Sequence, residues 1–291
     1  MTLEKKSPGK VNLLLNILGK RADGFHELET VMHPVNVFDT LSFARRETAG
    51  VQLACSERFL PTDSRNLVHR AATAFLERAG IREGVRIRLD KQLPLAAGLG
   101  GGSGNAAATL SGLNELFGGP LSPGQLGDIA AALGSDIPFF LQTKPALATG
   151  RGESIQPLDW FPALRGAAIL LIHPGFGIST AWAYQHLARF PAALNGSPGR
   201  AQKLISRLQT ADLKTAGAEF FNSLETPALE KYPLLALFQK FLREAGAPAT
   251  LMSGSGSTTF AVTEGPAAAE QLAEQFKSKF GRTYWVKAVA I

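Results

Sequence analysis

Residues 94–105 read Pro-Leu-Ala-Ala-Gly-Leu-Gly-Gly-Gly-Ser-Gly-Asn. Glycine at this density leaves backbone N–H groups uncovered and lets the chain bend where other residues cannot. What flanks the run limits the folds it can belong to. Before it, Val85-Arg86-Ile87-Arg88-Leu89-Asp90 alternates apolar and polar residues with the period of a half-buried strand. After it, Ala106-Ala107-Ala108 leads into Leu110, Leu113, Leu116 and Phe117 at helical spacing. A strand, a glycine bend and a helix start together make an anion cradle, because the helix adds unpaired N–H groups and a partial positive charge. Phosphate is the expected anion. A flexible turn is the alternative reading of the glycine count alone. The Walker pattern does not fit, since no lysine occurs between Pro94 and Asn105. The loosened dinucleotide fingerprint over residues 102–107 is nearly unavoidable in such a run and carries little.

The rest of the chain narrows the class. Cys55 is the single cysteine, which excludes an intrachain disulfide and a cysteine metal site and favours a reducing cytoplasm. No apolar run matches a bilayer, and no apolar signal core follows the first residues, so no membrane role is expected. The net charge of +6 is scattered, which suits anionic small molecules. No basic tract interleaved with aromatics appears, so no nucleic-acid partner is expected.

Punctuation and periodicity place further elements. A strand is expected over residues 7–18 after Ser7-Pro8-Gly9, with more strands over 31–37 and 40–43. A helix is expected from Asp63-Ser64, with Asn66 in its first turn. Ser122-Pro123-Gly124-Gln125 reads as an N-cap, a first-position proline and a capping-box glutamine, and Gly134 as the stop. Beyond a change of texture near residue 150, a loop is expected over 196–199, helices over 180–187, 227–245 and 266–280, and strands over 167–172, 250–252, 258–262 and 284–291. Ser253-Gly254-Ser255-Gly256-Ser257 forms a second glycine loop. Strands and helices mix without regular alternation, which points to an α+β fold.

Three residues or pairs have two local readings each. Lys10 opens a strand, where a solvated turn lysine is the ordinary case. Phe25-His26 can hold a nucleobase by stacking plus a hydrogen bond, or can be a core aromatic beside a surface histidine. Asp136 can simply cap the next turn. His33 and His69 have no metal-like spacing with each other or with His26.

Pro8-Gly9-Lys10-Val11-Asn12-Leu13, residues 94–107 and Ser253-Gly254-Ser255-Gly256, in that order, resemble the superfamily of galactokinase, homoserine kinase, mevalonate kinase and phosphomevalonate kinase. Within it, Arg21-Ala22-Asp23-Gly24-Phe25-His26 and Gly134-Ser135-Asp136-Ile137-Pro138-Phe139 resemble the branch that acts on a cytidine-diphosphate methylerythritol. The likeness is weakest over residues 195–224. The resemblance implies an S5-like ATP-binding domain over residues 1–152, a ferredoxin-like substrate-side domain over 153–291, and a site in the cleft between them. The implied reaction moves the γ-phosphoryl of ATP to the substrate 2-hydroxyl, in the non-mevalonate isoprenoid route. Lys10 and Asp136 match the catalytic pair, Asp136 as base and Lys10 as the cation that keeps it ionised and offsets phosphoryl charge.

The same resemblance assigns the ligand contacts. Pro94, Leu95, Ala96, Ala97, Gly98, Leu99, Gly100, Gly101, Gly102, Ser103 and Gly104 would cradle the ATP phosphates, with Lys91 and Asn66 nearer the adenosine. Asn12 would bind the erythritol hydroxyls, His26 the cytosine edge, Phe25 and Tyr184 its two faces, and Thr180 the substrate. Phe25 stands where relatives often have tyrosine, Gly104 where they often have serine, and Ala96-Ala97 where glycines are common. Mg²⁺ is expected with ATP, its protein ligands unknown, and the chain is expected to be a monomer or homodimer. The alternatives are another small-molecule kinase of the superfamily, such as a homoserine or mevalonate kinase, and a non-catalytic nucleotide-binding regulator.

Overall fold

The computed structural model describes residues 2–194, 197–210 and 212–291; Gly196 of the expected loop lies outside them. The chain forms two compact units, each assembled from separated stretches: Met1–Gly9, Val37–Leu93 and Gly100–Thr143 make one, and Lys10–Asn36, Pro94–Leu99 and Lys144–Ile291 the other. Two long strands, β1 (Leu3–Lys20) and β2 (His26–Arg46), pass from one to the other.

In the first unit β2 pairs antiparallel with β4 (Gly84–Asp90), from Thr40 opposite Asp90 to Arg46 opposite Gly84. The short β3 (Val51–Cys55) adds in parallel on the far side of β4. Val85, Ile87 and Leu89 are buried and Arg86, Arg88 and Asp90 exposed, so the expected alternation holds. Helices α1 (Leu67–Ala79), α2 (Gly101–Leu116) and α3 (Pro123–Leu133) pack on one another. Their core joins Leu41, Phe43, Phe75, Ile87, Leu110 and Leu113. The α3 start carries both bonds of its capping box, Gln125 N–H to Ser122 Oγ and Ser122 N–H to Gln125 Oε1.

In the second unit β2 pairs with β5 (Ala146–Gly150), which pairs with β6 (Ser154–Pro157). A separate antiparallel sheet has the order β11 (Trp285–Ala290), β7 (Ala168–His173), β10 (Thr259–Thr263), β9 (Ala249–Met252). Helices α4 (Thr180–Leu187), α5 (Pro191–Leu194), α6 (Arg200–Thr210) and α7 (Leu213–Gly217) lead to the two-residue strand β8 (Phe221–Asn222), then α8 (Glu225–Lys231) and α9 (Pro233–Glu244). The helix α10 (Pro266–Phe280) joins β10 to β11. The succession β7-α9-β9-β10-α10-β11 in that sheet order is the ferredoxin-like arrangement expected of the C-terminal part. Leu170, Ile172, Phe238, Leu242 and Phe276 fill the layer between helices and sheet.

Four expectations are corrected. The first strand begins at Leu3 and runs through Pro8-Gly9. The strands expected over 31–37 and 40–43 are one strand, because Asp39 is buried and accepts from Gln92 and Leu93 N–H rather than turning the chain. Asn66 caps α1 rather than sitting inside it: Asn66 Oδ1 accepts from Val68 N–H, while Asp63 takes the Arg65 N–H in the preceding turn. The helix expected over 227–245 breaks at Tyr232-Pro233, where Tyr232 has φ −125° and ψ 74°, since proline disfavours helical backbone in the residue before it.

Candidate active site

The helix behind the first glycine run starts earlier than its alanines suggest. Gly100, at φ 69°, is the N-cap, and Gly101, Gly102 and Ser103 are the first helical turn of α2. The first intrahelical bond is Gly104 N–H to Gly100 carbonyl at 2.8 Å, so the N–H groups of the three residues before Gly104 have no acceptor within the helix. A Cβ at Gly104 would lie 2.8 Å from Ser7 Oγ and 2.9 Å from the Pro8 carbonyl. The lack of any side chain at residue 104 is therefore the condition for strand β1 to pass this close. Ala96, at φ 49°, is the one non-glycine residue with positive φ among the described residues, and its Cβ packs against Gly177.

Lys91 leaves the end of β4 and folds its ammonium onto buried Asp39, which also receives Gln92 N–H at 2.7 Å and Leu93 N–H at 2.9 Å. Lys91 Nζ lies 3.2 Å from where a Gly101 Cβ would be, at the start of α2. Both ends of the Asn66 amide are engaged, Oδ1 by Val68 N–H and Nδ2 by the Pro61 carbonyl at 2.8 Å. Asp39 has no signal of its own in the sequence beyond an acidic residue inside an apolar strand.

Lys10 is not a solvated turn lysine: it is 2 % exposed. Its Nζ donates to the Gly98 carbonyl at 2.7 Å and to Asn12 Oδ1 at 2.6 Å, and its N–H donates to the Leu99 carbonyl at 2.9 Å. Asn12 Nδ2 donates to Thr30 Oγ1, which donates to the Leu14 carbonyl. The two glycine loops meet here. Ser253 Oγ donates to the Gly98 carbonyl at 2.9 Å, and Thr258 N–H to the Ala97 carbonyl at 3.1 Å. The carbonyls of residues 97–99 thus all accept hydrogen bonds within the protein.

Asp136 lies half-buried in the turn between α3 and a 3₁₀ turn, Pro138–Leu141. Ile137, not Asp136, occupies the N-cap position, so the capping reading of Asp136 is not met. The 3₁₀ turn packs on α2, and the Phe140 ring comes within 3.4 Å of the Gly104 Cβ position. The Asp136 turn therefore adjoins the glycine start of α2.

In the second unit the His26 and Tyr184 rings stand 5.0 Å apart, centroid to centroid, tilted by 39°. Phe25 is 54 % exposed and carries the Arg151 guanidinium over its face at 4.8 Å. Burial, with the Lys20 charge second, lowers the His26 pKa, which keeps its ring neutral at pH 7 with one donor and one acceptor nitrogen. Thr180 Oγ1 is 3.0 Å from Ser255 Oγ of the second glycine loop.

The sequence profile of the GHMP kinases N terminal domain matches residues 66–144, and that of the GHMP kinases C terminal region matches residues 190–282. The 4-diphosphocytidyl-2-C-methyl-D-erythritol kinase of Pelotomaculum thermopropionicum is 40 % identical over 277 residues, covering 95 % of this chain and 94 % of that one. The chain belongs to this family of GHMP kinases. The enzyme of the same name from Synechococcus is 40 % identical over 288 residues, with 97 % and 92 % covered. A crystal structure of 4-(cytidine 5'-diphospho)-2C-methyl-D-erythritol kinase superposes with a TM-score of 0.79 at 33 % identity, over 99 % of this chain and all of that one. The L. major mevalonate kinase, at 15 % identity and a TM-score of 0.77 over 99 % of this chain and 96 % of its own, shares the fold. As a GHMP kinase the chain is a phosphotransferase that uses ATP, on the expected α+β fold.

Proposed function

We propose that this GHMP kinase transfers the γ-phosphoryl of ATP to the 2-hydroxyl of 4-diphosphocytidyl-2-C-methyl-D-erythritol, giving the 2-phosphate and ADP, in the non-mevalonate isoprenoid precursor pathway. The observation that carries the substrate is the 40 % identity, over nearly all of both chains, to an enzyme named for it. Asp136 takes the hydroxyl proton, the freed oxygen attacks the γ-phosphorus, and ADP leaves with the bridging oxygen. Lys10 offsets charge on the transferring group, a role supported by its burial and by the fixed acceptors around its ammonium. Residues 94–104 hold the phosphates, with the α2 N–H groups and Lys91 supplying positive potential. Asn66 lies toward the adenosine. Asn12, with one N–H beyond its bond to Thr30, meets the erythritol hydroxyls. His26 reads the cytosine edge between Phe25 and Tyr184, and Thr180 touches the substrate.

Among the described residues no three His, Cys, Asp or Glu side chains gather as a metal site. Mg²⁺ prefers phosphate oxygens and one or two carboxylates, so it is proposed to enter on the ATP. It would offset triphosphate charge. The ATP-binding domain is proposed over residues 1–152 and the substrate side over 153–291. Among the described residues no helix is long and apolar enough to cross a membrane. A cytoplasmic monomer or homodimer, without nucleic-acid partners, is proposed.

The test is turnover of labelled ATP with the cytidine-diphosphate substrate, homoserine and mevalonate in parallel. Transfer to the first alone is expected. Transfer to either of the others alone refutes the substrate, and transfer to none favours a non-catalytic nucleotide-binding regulator.

A further inference from the structure

The second glycine loop is held by a segment that no motif marks. Its strand, β9, is the edge of its sheet, and edge strands leave N–H and carbonyl groups that need partners. At Met252, the last residue of β9, side chains supply both. Met252 N–H donates to Glu225 Oε1 at 2.9 Å, and Asn222 Nδ2 donates to the Met252 carbonyl at 2.8 Å. The same amide nitrogen donates to the Gly254 carbonyl, also at 2.8 Å, and Asn222 Oδ1 accepts from Leu224 N–H at 2.9 Å. Asn222 is 3 % exposed, and both of its N–H bonds are spent on this loop.

The backbone of the same segment grips β1. Strand β8 pairs with it in parallel, Leu14 opposite Phe221 and Leu15 opposite Asn222. Ser223 N–H donates to the Leu15 carbonyl at 2.8 Å, and Ile17 N–H to Ser223 Oγ at 3.0 Å. Residues 221–225 therefore hold the strand that bears Lys10 and the loop that Lys10 rests on. The rest is close: a Cβ on Gly254 would lie 3.2 Å from Lys10 Nζ, 3.3 Å from Asn12 Oδ1 and 3.3 Å from the Gly98 carbonyl.

We propose that Asn222 is a positioning residue for Lys10, its amide fixing the Gly254 main chain that backs the ammonium against the Gly98 carbonyl and Asn12 Oδ1. This rests on the reading of Lys10 as the cation of phosphoryl transfer. Without the fork between residues 252 and 254 the loop relaxes, the ammonium gains room, and its distance to the transferring group is no longer set. Misplacement of a catalytic group by about 1 Å costs on the order of a hundredfold in rate.

The test is a double-mutant cycle on the full chain, with ATP and the cytidine-diphosphate substrate: Asn222→Ala, Lys10→Met, and the two together. Asn222→Ala is expected to lower kcat about 10- to 100-fold with both KM values nearly unchanged, and to cost less than about twofold in the Lys10→Met background. An equal loss in both backgrounds is what a structural brace would give, and it overturns the proposal. Lys10→Met with the parent kcat refutes the reading of Lys10 instead, and the single variants tell the two failures apart. Asn222→Ser, whose one hydroxyl proton can hold only one of the two carbonyls, goes through the same cycle and is expected to lose less. If both Asn222 variants fail to fold, the segment is a brace and the proposal is equally overturned.

Discussion

Gly98→Ala gives the sharpest check on the site. Gly98 has φ 76°, and a Cβ there would lie 2.0 Å from the Ser253 carbonyl oxygen. Carbon and carbonyl oxygen ordinarily approach no closer than about 3.3 Å, so one glycine loop must withdraw from the other by more than an ångström. The Gly98 carbonyl then leaves Lys10 Nζ, now at 2.7 Å, and Ser253 Oγ, now at 2.9 Å. The left-handed conformation costs a non-glycine residue about 1–2 kcal/mol. A hydrogen bond to a charged group is worth about 1.5–3 kcal/mol and a neutral one about 0.5–1.5 kcal/mol. The perturbation is then about 3–6.5 kcal/mol, against about 1.4 kcal/mol per decade of rate. Part of it falls on stability, so kcat is expected to drop about a hundredfold or more, with a thermal midpoint lower by several degrees. Steady-state kinetics with a melting curve measure both. Ser253→Ala removes one neutral bond without a clash and should cost about tenfold at most. A Gly98→Ala enzyme with kcat within threefold of the parent would show that the carbonyl does not hold the ammonium for catalysis.

Asp136→Ala should retain ATP binding by calorimetry and lose about two to four decades of kcat, the range of an acid–base group; unchanged turnover removes Asp136 from catalysis. Asp39→Ala strands the buried Lys91 charge and two N–H groups, so urea unfolding should show a loss of about 3–5 kcal/mol, and a loss below about 1 kcal/mol contradicts the pair as drawn. His33 is buried, which lowers its pKa to about 4 from 6.5, while its bond to the Pro34 carbonyl opposes the shift. Between those values the unfolded chain binds a proton that the folded one refuses, so this contribution is complete above pH 6.5 and is lost as pH falls toward 4. The loss amounts to about 3 kcal/mol, and His33→Gln should flatten that part of the stability–pH curve; an unaltered slope means that His33 is not its source.

Much of this protein was readable where the cause is local. The β4 alternation, the Ser122 and Gln125 capping box, and the Pro266 helix start each depend on residues a few positions apart. The glycine bend was readable for the same reason. What escaped depends on distant partners. Asp39 shows nothing of its role until Gln92 and Leu93, 53 and 54 positions on, bring their N–H groups to it. Lys10 looks solvated until the Gly98 carbonyl, 88 positions on, takes its ammonium. Asn222 carries no pattern, because its acceptors are the main-chain carbonyls of Met252 and Gly254, which any residue would offer. The break at Tyr232-Pro233 is local, but the apolar spacing continues across it and hides it.

The interleaving of the two units bears on how the molecule comes into being. The chain changes unit after residues 9, 36, 93, 99 and 143. When residue 143 leaves the ribosome, all of one unit has been made, while residues 10–36 still await strands and helices more than a hundred positions away. For that interval a nascent chain exposes Val11, Leu13, Leu15 and Ile17, which end up wholly or almost wholly covered. Synthesis thus opens a window in which a greasy ribbon needs shelter, and no cut of the gene at a single point separates the residues of one unit from those of the other.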